Sequence, residues 1–501
     1  MIVFDNNINR MTERELAAFL ISDFIRSPER RDMIDGQAYY RADNPKIMHR
    51  RRFRFKEDPV TGNIIRVVDK AKPNNRRAHG FMHMFVEDKI NYLLSKPYTL
   101  SCEKSQEFLD KVNLILSKTF QQKRMIKLGK TASNGGIAWL HPYIDEDGSF
   151  RTMIIPPEQC IPGWKDNDHE EMTEFIWFYD VEIIEGHTVK DVLKVEYWTA
   201  DGVAYYVSDM TYQDGMNPNS GAISLILDSE RYLNEPDRDG DFTGHFIMDG
   251  AAEAWGRIPF IPFKNNDDEL PDLHFIKTLI DGYDKNRSDT ANYLEEVENF
   301  IMKLKGYGGN VLGAFMRDLS YFRAINLDVD GDADVLTATV DISAQDTDAE
   351  KLKKDIMLFG EGVDKASDQL GNSPSGIALK FMYSGLDLKC NRMEAAFKDG
   401  FDKLIWFVNR YLEITGGGPD YDADIDITFN RDININESQA ITDCQNSQGV
   451  ISQETILKNH PWVEDVDIEL KRLNQEKEAA QSMVSDMFIN DPADGEGNDA
   501  D

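Results

Sequence analysis

His79 and His83 stand four residues apart in Asn74 to Leu94, a stretch whose apolar spacing predicts an amphipathic helix. Histidines at i and i+4 can chelate a metal ion from one helix face. HExxH is absent and no third ligand is in view, which favours ordinary helix histidines. Asp328-Val329-Asp330-Gly331-Asp332-Ala333-Asp334 has the look of a calcium loop. An EF-hand needs glycine at position six and glutamate at position twelve. Here glycine is at four and Thr339 at twelve, which reads better as an acidic turn between strands. Gly371-Asn372-Ser373-Pro374-Ser375-Gly376 resembles a nucleophile elbow only loosely. Ser375 takes the place of the second glycine of GxSxG, and no strand precedes it. No GxxxxGKS or GxxxxGKT phosphate loop is present. The many carboxylates show no paired geometry for acid–base work. The expectation is no catalytic residue, no metal, no cofactor and no enzymatic activity. An enzyme with an unrecognised carboxylate site stays as an alternative. The basic run His49-Arg50-Arg51-Arg52-Phe53-Arg54-Phe55-Lys56 interleaves cations with aromatics, a mixture that can bind nucleic acid. Its acidic surroundings favour a solvated strand or a subunit contact.

Contact chemistry is better placed in the polar loop Asp364 to Ser375, which has almost nothing to bury. Two helices must hold it. The first opens at Thr347 and Glu350, at capping-box spacing, and carries Leu352, Ile356 and Phe359 on one stripe with Lys351, Lys353 and Lys354 off it. Gly360 and Gly362 end it, as glycines commonly do. Ser373-Pro374 reads as N-cap and N1 of the second. That helix carries Ile377, Phe381, Leu388, Met393, Phe397, Phe401, Leu404, Ile405, Val408 and Leu412 as far as Leu412. If continuous it spans about 60 Å.

The remaining elements read as α+β, mainly α. Helices are predicted over residues 12–26, with Leu16, Phe19, Leu20 and Phe24 inward, and over Glu29–Tyr40. Residues 135–235 are β-rich, with aromatic and β-branched runs such as Phe175-Ile176-Trp177-Phe178-Tyr179. Pro236–Gly250 reads as a loop and Ile258–Phe263 as extended chain. A long helix is predicted from about Pro271 to Leu304, with Leu273, Ile276, Leu279, Ile280, Tyr283, Leu294, Val297, Ile301 and Leu304 as its stripe. Strand signals follow at Tyr321–Leu327 and Val335–Val340, and Ile425–Asn430 alternates like a strand with one buried face. Glu437–Ile489 is helical and Asp491–Asp501 is an acidic tail that reads as disordered.

The chain has 501 residues, 41% of them hydrophobic, and a formal net charge of −33. That charge argues against a protein that coats nucleic acid, though not against a surface that DNA slides past. Four scattered cysteines read as free thiols. Met1–Asn6 does not read as a signal peptide, and no apolar run approaches the ~20 residues of a membrane span.

Several phrases in order resemble the portal proteins of tailed bacteriophages, of the siphovirus type from Gram-positive hosts. They are Val86-Glu87-Asp88-Lys89-Ile90-Asn91-Tyr92-Leu93-Leu94-Ser95-Lys96-Pro97, Gly136-Ile137-Ala138-Trp139, Asp145-Glu146-Asp147-Gly148, Ile155-Pro156-Pro157-Glu158, Ile261-Pro262-Phe263-Lys264-Asn265-Asn266, Leu279-Ile280-Asp281-Gly282-Tyr283-Asp284 with Ser288-Asp289-Thr290-Ala291-Asn292, and Gly371-Asn372-Ser373-Pro374-Ser375-Gly376-Ile377-Ala378-Leu379-Lys380. The resemblance implies the portal fold and a ring, usually of twelve copies, at one capsid vertex. Double-stranded DNA enters and leaves through its tunnel. Residues 1–265 would be the wing, 266–305 a stem helix, 306–343 the clip, 344–361 the second stem helix and 362–375 the tunnel loop. Residues 376–430 would be a long helix returning to the wing, 431–490 the crown helices and 491–501 the tail. Lys365, Gln369, Asn372, Ser373, Lys351 and Lys354 would face DNA in the tunnel. Tyr307, Arg317, Tyr321, Arg323, Asp328 and Asp330 would dock partners on the clip. The implied partners are the terminase large subunit, a head-completion or adaptor protein, and the major capsid and scaffolding proteins, with no membrane. The implied location is the virion, after assembly in the host cytoplasm. A ring or scaffold protein unrelated to DNA is the remaining alternative.

Overall fold

The computed structural model describes residues 11–70, 72–185, 188–208, 223–232, 238–297, 301–305, 332–336, 342–364, 376–431, 437–463 and 466–489. The chain divides into two units, 1–363 with 385–432, and 364–384 with 433–501. The first unit opens with helices α1 (Glu13–Phe24), α2 (Pro28–Tyr40) and α3 (Pro45–Met48) and the hairpin β1 (Phe53–Glu57) with β2 (Ile64–Val68). Then come α4 (Phe81–Leu94), β3 (Thr99–Ser101), α5 (Gln106–Thr119) and α6 (Gln122–Gly135). The starts of α1 and α2 are written in sequence. Thr12 and Glu15 close a capping box, and Ser27 caps a helix with Pro28 in its first turn. Leu16 and Leu20 face inward as expected and Phe24 partly so; Ile21, Ala17 and Ala18 are buried as well, whereas Phe19 is exposed.

The β-rich section holds β4 (Ile137–Ile144), β5 (Phe150–Ile155), β6 (Cys160–Trp164), β7 (Met172–Glu185), β8 (Thr188–Trp198), β9 (Val203–Ser208) and β10 (Leu225–Leu227). The short β11 (Arg238–Asp239), β12 (Phe242–Thr243) and β13 (Phe246–Met248) lie where a loop was expected; β14 (Ala251–Glu253) and β15 (Ile261–Lys264) follow. One antiparallel sheet runs β11-β12-β9-β8-β7-β6, with β10 on β9; a second runs β15-β4-β5. Period-two geometry explains why the strands of the first sheet are apolar on both sides. Ile176, Phe178, Val195, Tyr197, Ala204 and Tyr206 meet α1 on one face. Phe175, Trp198, Val203 and Tyr205 meet Trp139, Ile155 and Phe260 of the second sheet's layer on the other.

Helix α7 (Lys277–Val297) is shorter than predicted at both ends. Ile301 and Leu304, expected on its stripe, instead belong to strand β16 (Ile301–Lys305), paired antiparallel with β17 (Asp332–Leu336). Helix α8 (Ser343–Phe359) begins before Thr347, so the expected capping box is not formed. The Thr347 hydroxyl donates to the Ser343 carbonyl one turn back instead. Helix α9 (Gly376–Ile414) is continuous over 39 residues. Met393, Phe397, Phe401, Leu404, Ile405, Val408 and Leu412 are buried, whereas Phe359, Phe381 and Leu388 are exposed. Strand β18 (Asp426–Thr428) pairs with β3, and Ile425, Ile427 and Phe429 are buried in strict alternation. The second unit adds α10 (Glu437–Asn446), α11 (Gln453–Lys458) and α12 (Val466–Ile489). The architecture is thus mixed helix and strand. None of the described helices is long and apolar enough to cross a membrane. All four cysteines are free.

Candidate functional site

Of the residues expected to face DNA, Lys351 and Lys354 lie exposed on α8. Lys365, Gln369, Asn372 and Ser373 fall outside the described residues. So do Tyr307, Arg317, Tyr321, Arg323, Asp328 and Asp330, expected on the clip, and the tail 491–501. The structure does describe how the helices carrying these segments are anchored.

The buried line of α7 changes character halfway. Ile276, leading into it, and Ile280 are apolar; Asp284, Ser288 and Asn292, each four residues further on, are polar and no less buried. The reason is what lies opposite. Residues 74–79, expected to be helical, are not, and alternate residues among them bond to α7. The backbone N–H of His79 donates to Asp284 at 3.0 Å, that of Arg77 to Ser288 at 2.9 Å and that of Asn75 to Asn292 at 2.6 Å. Four helical residues rise about 6 Å, close to two extended ones, so alternate amides meet successive turns. A buried N–H needs an acceptor, and short polar side chains at i, i+4 and i+8 provide three. That polar stripe was visible in the sequence as a departure from an apolar one.

This arrangement also disposes of the histidine pair. His79 precedes α4, with Nδ1 2.7 Å from Asp284, while the His83 ring packs 4.9 Å from that of Tyr40. The ligands are not on one helix face, and among the described residues no cluster suited to a metal ion occurs. The basic run forms β1 and its approach. Arg50 reaches Asp289 at 2.5 Å and Arg52 reaches Glu296 at 3.6 Å, both on α7.

Sequence reasoning missed a buried ionic joint between α4, the chain ahead of α7, and α9. Lys89 Nζ lies 2.7 Å from Asp272 and 2.6 Å from the Asn265 amide oxygen. Lys389 Nζ lies 3.4 Å from the same carboxylate and donates to the Gly360 carbonyl at 3.2 Å. Burial by itself would raise the Asp272 carboxyl, but the Lys389 and Lys89 ammoniums and the Asn265 amide outweigh it and hold it at about 2. Burial pulls the Lys89 ammonium down to about 8, against Asp272. Both shifts are downward, which favours the charged form of the carboxylate and disfavours that of the ammonium. We take the carboxylate as the net beneficiary, because it alone is shared by two cations; at pH 7 both partners are charged. Further along α9, Arg431 clasps Asp387, Asn391 and Glu394.

The C-terminus of α8 is set by the same joint. Gly362 N–H donates to Met357 O and Glu361 N–H to Leu358 O, the bonding of a Schellman cap. The residue with left-handed backbone is Glu361, at φ 53°, not a glycine. Gly360 and Gly362 serve contact instead: a Cβ on Gly362 would fall 2.1 Å from the Phe85 ring of α4, and one on Gly360 2.8 Å from it. Glu361 is held by Arg392 of α9 at 2.5 Å. The segment leading into residue 365 thus leaves a fixed platform of α4, α8 and α9.

A family model described as phage portal protein, SPP1 Gp6-like, matches residues 25–483. The portal protein of Bacillus phage SPP1 is 30% identical over 473 residues, which cover 94% of this chain and 87% of that protein. The portal protein of Clostridium phage phiCD119 is 29% identical over 432 residues, 83% of this chain and 88% of that one. A solved structure titled as the neck of an empty GTA particle computed with C6 symmetry matches with a TM-score of 0.40 at 11% identity, covering 75% of this chain and 88% of its own. By the family model and the Bacillus phage relative, the chain belongs to the SPP1 Gp6-like family of phage portal proteins.

Proposed function

We propose that this chain is the portal protein of a tailed phage: copies of it close into a ring at a capsid vertex, and double-stranded DNA passes through the ring in packaging and ejection. The observation that carries the reading is the family match from residue 25 to residue 483. The chain's chemistry supports it. Twelve copies at −33 each would carry about −400, and an acidic wall limits sticking of phosphates. Lys351 and Lys354 offer weak, replaceable contacts on an otherwise acidic molecule.

The finer assignments follow the order of elements. The ring has twelve subunits and is part of the virion after assembly in the host cytoplasm. Residues 1–265 form the wing and 431–490 the crown, next to capsid and scaffolding proteins. Residues 306–343 form the clip, which docks the terminase large subunit and later the head-completion protein. Residues 362–375 form the tunnel loop, with Lys365, Gln369, Asn372 and Ser373 toward DNA. The chain is structural; ATP hydrolysis belongs to the motor, and purified rings are expected to show none.

The test is to make Lys365→Glu and, separately, to delete Gly371-Asn372. Rings are expected from both, because the anchoring joint of α4, α8 and α9 is untouched. Packaging or retention of DNA is expected to change in at least one. If both package and retain DNA like the parent, the constriction lies elsewhere, and Lys351→Glu with Lys354→Glu on α8 is the next pair to measure.

A further inference from the structure

The hairpin β1–β2 has no core of its own. Every residue of β1 is exposed, and so is all of β2 except Val67, which is half-buried. An isolated two-stranded ribbon is marginal in water. Yet this one is finished in detail. At its tip Asp58 accepts from the Val60 N–H at 3.0 Å and the Thr61 hydroxyl at 2.8 Å, and Gly62 turns the chain at φ 69°. At its base Arg50 and Arg52 fasten it to α7. The register, Phe53 with Val68 and Glu57 with Ile64, sets which side chains share a face. One face carries Phe53, Phe55, Ile64 and Val68, all exposed, together with Glu57 and Arg66, whose guanidinium lies 3.8 Å from the Phe53 ring centroid. The other carries Arg54 and Lys56 beside Ile65 and Val67, and no ion pair of Arg54 or Lys56 is found among the described residues.

We propose that this hairpin docks on a second copy of this chain and is part of the contact between ring neighbours; the inference rests on the portal reading. Charge complementarity selects the occupant. Residues 50–70 hold seven Lys or Arg against three Asp or Glu, on a chain whose net charge is −33. Another copy therefore offers the acidic surface that a basic ribbon fits. The apolar face argues for protein over nucleic acid, because exposed Phe and Ile side chains gain by burial in a protein groove and offer nothing to phosphates. A preformed tip and a pinned base lower the ordering cost of docking.

The experiment uses the full chain. One variant pairs Phe55→Ser with Ile64→Ser; another pairs Arg54→Glu with Lys56→Glu. A third places a benzophenone amino acid at Phe55 for photo-crosslinking. All four side chains are exposed, so monomer melting should match the parent. Ring formation, followed by sedimentation and electron microscopy, is expected to need roughly tenfold more protein in both double variants. Irradiated rings should give a covalent product of twice the chain mass. If the parent forms rings and the double variants assemble at the same concentration, the hairpin contact is overturned while the portal reading stands. Rings without a dimer product, or a crosslink to added duplex DNA in its place, overturn it equally. A parent that stays monomeric at every concentration overturns the portal reading and this contact together.

Discussion

Lys89 holds a charge where water does not reach, and one carboxylate, one amide and a second lysine decide whether it can stay. Removing different members of the group should have unequal effects. Asp272→Asn strands two ammoniums, Lys89 and Lys389, and is expected to cost about 3–5 kcal/mol. Lys89→Met removes a buried charge and leaves Asp272 with Lys389, so its cost should be clearly smaller. Denaturant titration of both variants gives the comparison, and equal losses would mean the joint is held by packing and not by charge. The pH dependence has a definite sign. The Asp272 carboxyl is held at about 2 in the fold, below its ordinary 3.8, so its contribution is present above pH 4 and lost as pH falls toward 2. The gap in melting temperature between parent and Asp272→Asn should therefore narrow across that window. Sequence could not announce this joint. Lys89 sits in a phrase that carried the family resemblance, but its partners lie 176 and 183 residues away, and an isolated lysine on a helix reads as solvated.

Helix existence was legible along most of the chain, because apolar spacing and caps are local signals; helix ends at the joints were not, because those are set by what packs across them. The cap of α8 shows the difference. Its two glycines marked the end correctly for a reason that does not operate, since Glu361 takes the left-handed position and the glycines make room for Phe85. Two substitutions should then invert the usual rule. Gly362→Ala drives a methyl into a buried ring and is expected to cost about 1–3 kcal/mol, partly recovered by Phe85→Leu. Glu361→Gly trades about 1 kcal/mol of left-handed strain against a half-exposed pair with Arg392 worth no more, so stability should barely change. Thermal melts of the three proteins decide it; a harmful Glu361→Gly with a harmless Gly362→Ala would restore the ordinary capping account. On α7 the same lesson holds. The predicted stripe used Tyr283, Leu294 and Val297, whereas the buried line passes through Asp284, Ser288 and Asn292, because backbone amides and not a hydrophobic layer lie against it.

At the scale of the whole molecule, burial is uneven. The first unit has the cores on both faces of its large sheet, whereas none of the described side chains of the second unit is buried. Composition alone could not reveal this division, since both parts of the chain supply helices with apolar residues. It bears on how separable the functional segments are. Most of the proposed clip, residues 306–331, leaves and re-enters the chain at one place: β16 and β17 pair in register from Ile301 with Leu336 to Lys305 with Asp332. Closing a chain between two ends already held as ladder neighbours adds little entropy cost, and a two-residue Asn-Gly turn is the natural closure of such a pair. Residues 306–331 can thus be replaced by Asn-Gly with β16 and β17 intact. The bonds that join α7 and α8 lie beyond the ladder and remain: Arg287 with Asp346 at 2.9 Å and Asn286 with Asp348 at 2.8 Å. The shortened chain is expected to melt within a few degrees of the parent and to assemble into rings of the parent's symmetry. It should fail to bind the terminase large subunit in a pull-down and fail to package DNA. A folded monomer that no longer forms rings would assign residues 306–331 to assembly, and rings that still bind terminase would move the docking surface off the clip.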